Sequence, residues 1–230
     1  MSHVRTNPGR VAHWDPRSDQ FRIRAVAPPL ATVERQFRYW NANGAWLDQG
    51  EEPHCTAAAA IHWREDGPIT TKGPAKITRQ ALYAQIQQKD RAEGRWYDEG
   101  ATSLAMVKVM RDLGWCGEYR WGKTVDELVQ AVLTTGPVLV GTNWYSRMNE
   151  PDRQHRVHLG GALVGGHEFL INGVTLVHGL FRLKNSWGPA YGSNGHAWIT
   201  FEDMARLIAE DGDVLLAREL PEAVATPRAA

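Results

Sequence analysis

Asn185-Ser186-Trp187-Gly188 follows Gly165-Gly166-His167 by a short interval, and Leu47-Asp48-Gln49-Gly50 stands just ahead of Cys55. The order Gln, Cys, His, Asn brings an amide donor, a thiol, an imidazole and an orienting amide into one chain. A cysteine attacks a carbonyl as its thiolate, so it needs an imidazole or a helix N-terminus beside it to lower its pKa. Cys55 opens the run Cys55-Thr56-Ala57-Ala58-Ala59-Ala60-Ile61-His62-Trp63, which is rich in alanine and strongly helix-forming. Pro53 just before it suits a helix start. The thiol is therefore expected at a helix N-terminus, where the dipole favours negative charge, with a pKa below the ~8.5 of a free cysteine. His167 is expected to take the thiol proton and return it to the leaving amine. Asn185 would hold the far ring nitrogen. Gln49 and the Cys55 backbone N–H would hold the developing oxyanion.

The flanking sequence places these residues on two kinds of structure. Residues 1 to about 30 are broken by Pro8, Pro16, Pro28 and Pro29, and their scattered arginines and aspartates read as a solvated arm. From there to about residue 135 the pattern is helical, with helices expected at Cys55–Glu65, Thr78–Lys89 and Thr102–Leu113. A fourth opens on the capping box of Thr124 and Glu127 and ends at Gly136. Strands are then expected at Pro137–Thr142, Gly165–Asn172, Leu176–Asn185, Gly195–Thr200 and Asp213–Arg218, with one helix at Phe201–Glu210. A helical half followed by a sheet half is an α+β plan. The expected division is an N-terminal segment 1–45, a helical lobe 46–135 carrying the nucleophile, a β lobe 136–220 carrying His167 and Asn185, and a disordered tail 221–230.

Composition excludes several classes. The chain has 230 residues, 43% of them hydrophobic, with 26 basic and 26 acidic side chains. That length supports an ample core. Balanced charge gives no electrostatic footprint for nucleic acid, and no apolar run approaches a membrane span or signal segment. Two cysteines provide no disulfide framework and fit a reducing compartment. A cytoplasmic monomer is expected, with neither nucleic-acid nor membrane partners.

With these motifs in order, the chain resembles the papain-like cysteine peptidases. Glu52 stands where the best-known members carry the upstream cysteine of the nucleophile motif, and Thr56 where they carry an aromatic. The closer resemblance is to the short, disulfide-free bacterial and phage members. Asp98-Glu99-Gly100, Glu118-Tyr119-Arg120-Trp121 and Gly136-Pro137-Val138 belong to it, and it runs from about Trp46 to Glu219. The resemblance implies a two-lobe fold, a helical left lobe against a β-barrel-like right lobe, and hydrolysis of peptide or protein substrates through a thioester, with no cofactor and no metal. It implies that Trp187 covers the His167–Asn185 contact and that Tyr191 lies on the leaving-group side of the cleft. Gly100 would pair its backbone with an extended peptide. A pocket for one apolar side chain is expected, shaped by residues around Gly100–Thr102 and Gly141–Trp144. Relatives are commonly held inactive by a separate prodomain, which the residues ahead of Gln49 are too few to form. Either the enzyme is constitutively active, or residues 1 to about 30 fold over the cleft. Acyl transfer or deamidation at the same site, and a silent binding protein of this fold, are the alternatives.

The remaining candidates have plainer readings. Cys116 reads as a small buried hydrophobe. His54, Cys55 and His62 lack the further ligand that a zinc site needs. His155 and His158 fall in the polar stretch Glu150–His158, expected as a surface loop. The ten tryptophans read as core and lobe-packing residues, Trp187 apart.

Overall fold

The computed structural model describes residues 8–40, 46–66 and 77–219. The expected tail from 221 lies outside them. Strands β1 (Arg10–Val11) and β2 (Phe37–Tyr39) precede helices α1 (Cys55–Glu65) and α2 (Arg79–Ala92). Then come β3 (Ala101–Thr102), α3 (Ser103–Asp112), β4 (Glu118–Gly122) and α4 (Val125–Thr134). The second half holds β5 (Val138–Tyr145), β6 (Leu163–Thr175), β7 (Leu180–Lys184), β8 (His196–Thr200), α5 (Phe201–Ala209) and β9 (Asp213–Arg218).

Threonine begins four of the helices. Thr78, Thr102, Thr124 and Thr200 each accept a backbone N–H from three residues on, at Ala81, Ala105, Glu127 and Asp203. Each such cap stabilises by roughly 1 kcal/mol. The box at Thr124 closes differently from expectation. Glu127 reaches past Thr124 to the N–H of Lys123 at 2.8 Å, and pairs with Arg22 at 2.6 Å. Helix α1 lacks a side-chain cap. It is held by burial instead, because its alanines let α2, α3 and β6 approach closely.

The main sheet runs β4-β9-β5-β6-β7-β8, with β2 pairing β6, and its neighbours are antiparallel. Alternation along the central strands splits the core in two. Leu139, Leu170 and Leu215, registered side by side, join the cluster with α1, α2 and α3. Val140, Phe169 and Val214, one residue along each strand, join the cluster under α4 and α5. The five expected strands and the helix before β9 are present. The helical block, however, contains β4, which pairs with β9 from Glu118↔Arg218 to Gly122↔Val214.

The N-terminal region is also not a solvated arm. Short 3-10 turns at Pro16–Gln20, Ile23–Ala25 and Leu30–Thr32 carry Ile23 and Ala27 into the core beside α4. Arg22 is spent on Glu127 rather than on solvent. The prolines break regular helix without preventing packing. In the loop Glu150–His158, Val157 is likewise buried in the core, while His158 and Asp152 pair at 2.8 Å.

Candidate active site

Cys55 is the first residue of α1, and its Sγ receives the backbone N–H of Glu168 at 3.3 Å. The thiol therefore lies against the peptide that follows His167 on β6. His167 stands opposite Thr142 on β5. Asn185 directly follows β7, anchored by its N–H to the carbonyl of Gly195 at 2.9 Å. Its Oδ1 lies 2.7 Å from His167 Nε2 and accepts the N–H of Ser186 at 2.8 Å. A backbone N–H can only donate, so the amide oxygen is fixed there and His167 Nε2 must be the protonated nitrogen. Nδ1 is left as the basic nitrogen. Trp187 stacks on the His167 ring with centroids 5.1 Å apart, and Trp144 meets that ring edge-on at 4.7 Å. Tyr191 packs edge-on against Trp187 and donates its hydroxyl to the carbonyl of Met148. Trp187 and Tyr191 both line a groove of about 590 Å³ with Asp48 and Glu150.

Gln49 is held on every side. Its Nε2 donates to the carbonyls of Glu52 at 2.7 Å and Pro8 at 3.0 Å, and its Oε1 accepts from Ser186 Oγ at 2.7 Å. Arg79 braces the same loop through the Gln49 carbonyl and the Glu52 carboxylate. The residue beside Asn185 thus orients the amide of Gln49. Ser186 was readable in the Asn-Ser-Trp-Gly stretch, but nothing local announces that partner.

The cleft is occupied by the chain itself. The carbonyl of Pro8 accepts from Gln49 Nε2 and, at 3.3 Å, from the backbone N–H of Cys55. Gly9 passes so close to Pro53 that a Cβ there would come within 2.0 Å of the Pro53 oxygen. Its carbonyl accepts the N–H of Ala101, and β1 then runs parallel to β3. The backbone that pairs with this segment is that of Ala101. Gly100, at φ +86°, has its N–H directed to Tyr83 Oη and its carbonyl to Gln87. What Gly100 provides is room, since a Cβ on it would lie 2.8 Å from the Gly9 oxygen.

Arg10 enters the pocket next to the thiol. Its Nη2 donates to Asp213 Oδ2 and to the carbonyl of Asp211, each at 2.7 Å, and the residue is only 4% exposed. Ser103 Oγ lies 2.7 Å from Glu168 Oε2 and 2.9 Å from Asp213 Oδ2. One hydroxyl proton cannot serve two carboxylates. Burial, reinforced by the charge of Asp213, pushes the Glu168 pKa up to about 8, so Glu168 is the protonated partner near neutrality. The lining around the Arg10 guanidinium is therefore acidic, with Glu168 and Asp213 both buried. Its residues come from α3, β5, β6 and β9, and no local pattern links them.

Burial also overturns the expected low pKa of Cys55 in this closed arrangement. With residues 8–11 seated, the thiol has no exposed surface, and desolvation pushes its pKa up despite the N–H of Glu168. Cys116, in the core of the helical lobe, is raised to about 12 by burial.

No family model matches the sequence. Among curated proteins, an 80-residue stretch is 32% identical to cathepsin B-like cysteine proteinase 5 of Caenorhabditis elegans, covering 34% of this chain and 23% of that protein. The match thus spans about a quarter of the relative. Similarity of structure extends much further. Xylellain, a cysteine protease from Xylella fastidiosa, superposes with a TM-score of 0.71 at 20% identity, covering 96% of this chain and 99% of that one. The chain has the papain-like fold. Digestive procathepsin L 3 of Tenebrio molitor larval midgut gives 0.60 at 13% identity, with 94% and 76% covered. Within the papain-like fold, α1 forms one wall of the cleft and the β6–β7 region the other, and residues 8–11 run between them.

Proposed function

We propose that the protein is a cysteine peptidase whose cleft is closed at rest by residues 8–11. The observation that carries this reading is the Pro8 carbonyl, a peptide carbonyl already bonded to both Gln49 Nε2 and the Cys55 N–H. Once the segment leaves, the Cys55 proton passes to His167 Nδ1 and the sulfur attacks the carbonyl carbon of a substrate. The oxyanion rests on Gln49 Nε2 and the Cys55 N–H. The C–N bond breaks as His167 returns the proton to the departing amine. Water, deprotonated by His167, then opens the thioester, freeing the acid and restoring the thiol. Asn185 keeps the imidazole in the Nε2–H tautomer, and Trp187 and Trp144 keep water from that contact.

Cleavage of a diverse peptide library, with products identified by mass, tests this reading and separates hydrolysis from transfer to another acceptor. Gln49→Ala is expected to slow the chemical step by roughly 10²–10³. Cys55→Ala is expected to abolish cleavage and labelling by a thiol-reactive peptide ketone. A native protein inert to both ketone and library would be a silent binding protein instead.

A further inference from the structure

We infer that the pocket built by Ser103, Gly141, Glu168 and Asp213 recognises an arginine side chain of the peptide substrate, and that Arg10 occupies it as a stand-in while the cleft is closed. The inference rests on the peptidase reading and gives it a substrate class. Gly141 supplies the space. A Cβ at 141 would lie 2.5 Å from Glu168 Oε2, 2.8 Å from Arg10 Nε and 3.0 Å from Ser103 Oγ. Only a residue without a side chain lets a flat guanidinium lie there. The acceptors suit a cation, because Asp213 Oδ2 and the Asp211 carbonyl both accept from Arg10 Nη2, and the room over Gly141, where Arg10 Nε lies, suits the flat guanidinium of arginine. An apolar side chain in this place would leave the Asp213 carboxylate buried without a counter-charge, which is strongly unfavourable.

Arg10 does not exhaust the pocket. Its Nε and Glu168 Oε1 are both buried without a hydrogen-bond partner. Buried polar atoms are seldom left so, and each has an unused bond to make. A substrate arginine seated slightly differently can use them, which favours exchange of the chain's own segment for substrate.

Two measurements test the inference separately from the peptidase reading. The first uses full-length Cys55→Ala protein and two peptides, acetyl-Pro-Gly-Arg-Val-amide and its twin with neutral citrulline in place of arginine. Both must displace the same segment, so that cost cancels in the ratio. The arginine peptide is expected to bind at least roughly 10-fold tighter. Equal affinities, or binding by neither, overturn the inference. The second is positional scanning of the wild-type enzyme. One substrate position is expected to favour arginine over leucine by roughly 10² in kcat/KM, and Asp213→Asn should collapse that ratio. Should Asp213→Asn fail to fold, Gly141→Ala fills the same space without changing charge and should also collapse it. Efficient cleavage without arginine preference overturns the pocket and leaves the peptidase standing. Arginine-selective binding by a protein with an inert Cys55 does the reverse.

Discussion

The Ser186 N–H donates to Asn185 Oδ1, and that single bond decides which nitrogen of His167 can act as base. Gln49, Cys55, His167 and Asn185 were legible because each sits in a short stretch whose neighbours state its context. Arg10, Ser103, Glu168 and Asp213 were not, because Arg10 and Asp213 meet across 203 residues and Glu168 is passed over beside a more conspicuous histidine. The charged lining around Arg10 depends on that long-range encounter, which no local stretch of sequence announces. A pH dependence follows at this scale. The Glu168 pKa is raised in the fold to about 8 from 4.5, so its contribution to stability is fully present below pH ~4.5 and lost as pH rises through about 8. Glu168→Gln keeps a donor toward Ser103 and removes the titration. Its stability relative to wild type should therefore improve between pH 4.5 and 8, by an amount on the order of a few kcal/mol. Urea melts at both ends of that range measure it, and a difference that does not change with pH would reject the assignment of the proton to Glu168.

Among the elements, those with a side-chain signal at their ends were read closely. Thr78, Thr102, Thr124 and Thr200 mark helix starts to within a residue. Strands β1, β2, β3 and β4 were missed. They are two, three, two and five residues long and polar or mixed, and β4 sits at the sheet's end, where pairing with β9 rather than its own alternation makes it a strand. β1 matters most, since it is the part of the chain that closes the cleft. Gly9 is its weak point. At φ +108°, with Pro53 against it, Gly9 admits no side chain while the segment is seated. Gly9→Val should therefore expel residues 8–11 without disturbing the core. Iodoacetamide would then modify Cys55 faster than in wild type, at least roughly 10-fold at mildly acidic pH, because the sulfur regains solvent and its desolvation is relieved. Cys116 should stay slow in both proteins, held in the helical core and raised to about 12. Unchanged Cys55 labelling would mean that residues 8–11 do not limit access.

For the molecule as a whole, the α+β plan was visible in the change of periodicity near residue 135, but the N-terminal region was misjudged. Prolines and spaced charges resemble a loose arm, and nothing local reveals that Ile23 and Ala27 enter the core or that Arg22 meets Glu127. The structure divides this region into a cleft-filling segment, residues 8–11, and a packed collar, residues 16–32, and the two should separate on truncation. Removing residues 1–11 takes away Arg10 but leaves the collar, and opens the pocket of Glu168 and Asp213 to water, which relieves their desolvation. That protein should unfold cooperatively and show raised activity and raised Cys55 reactivity. Removing residues 1–30 also deletes Ile23, whose loss alone costs roughly 2–5 kcal/mol in a well-packed core. It strips Glu127 of its counter-charge as well. The sum approaches the ~5–15 kcal/mol that holds a typical domain folded. The longer deletion should therefore lose its cooperative thermal transition or aggregate. Equal melting of the two truncated proteins would remove the collar from the core, and a shorter truncation no more active than the full chain would remove the segment from the cleft.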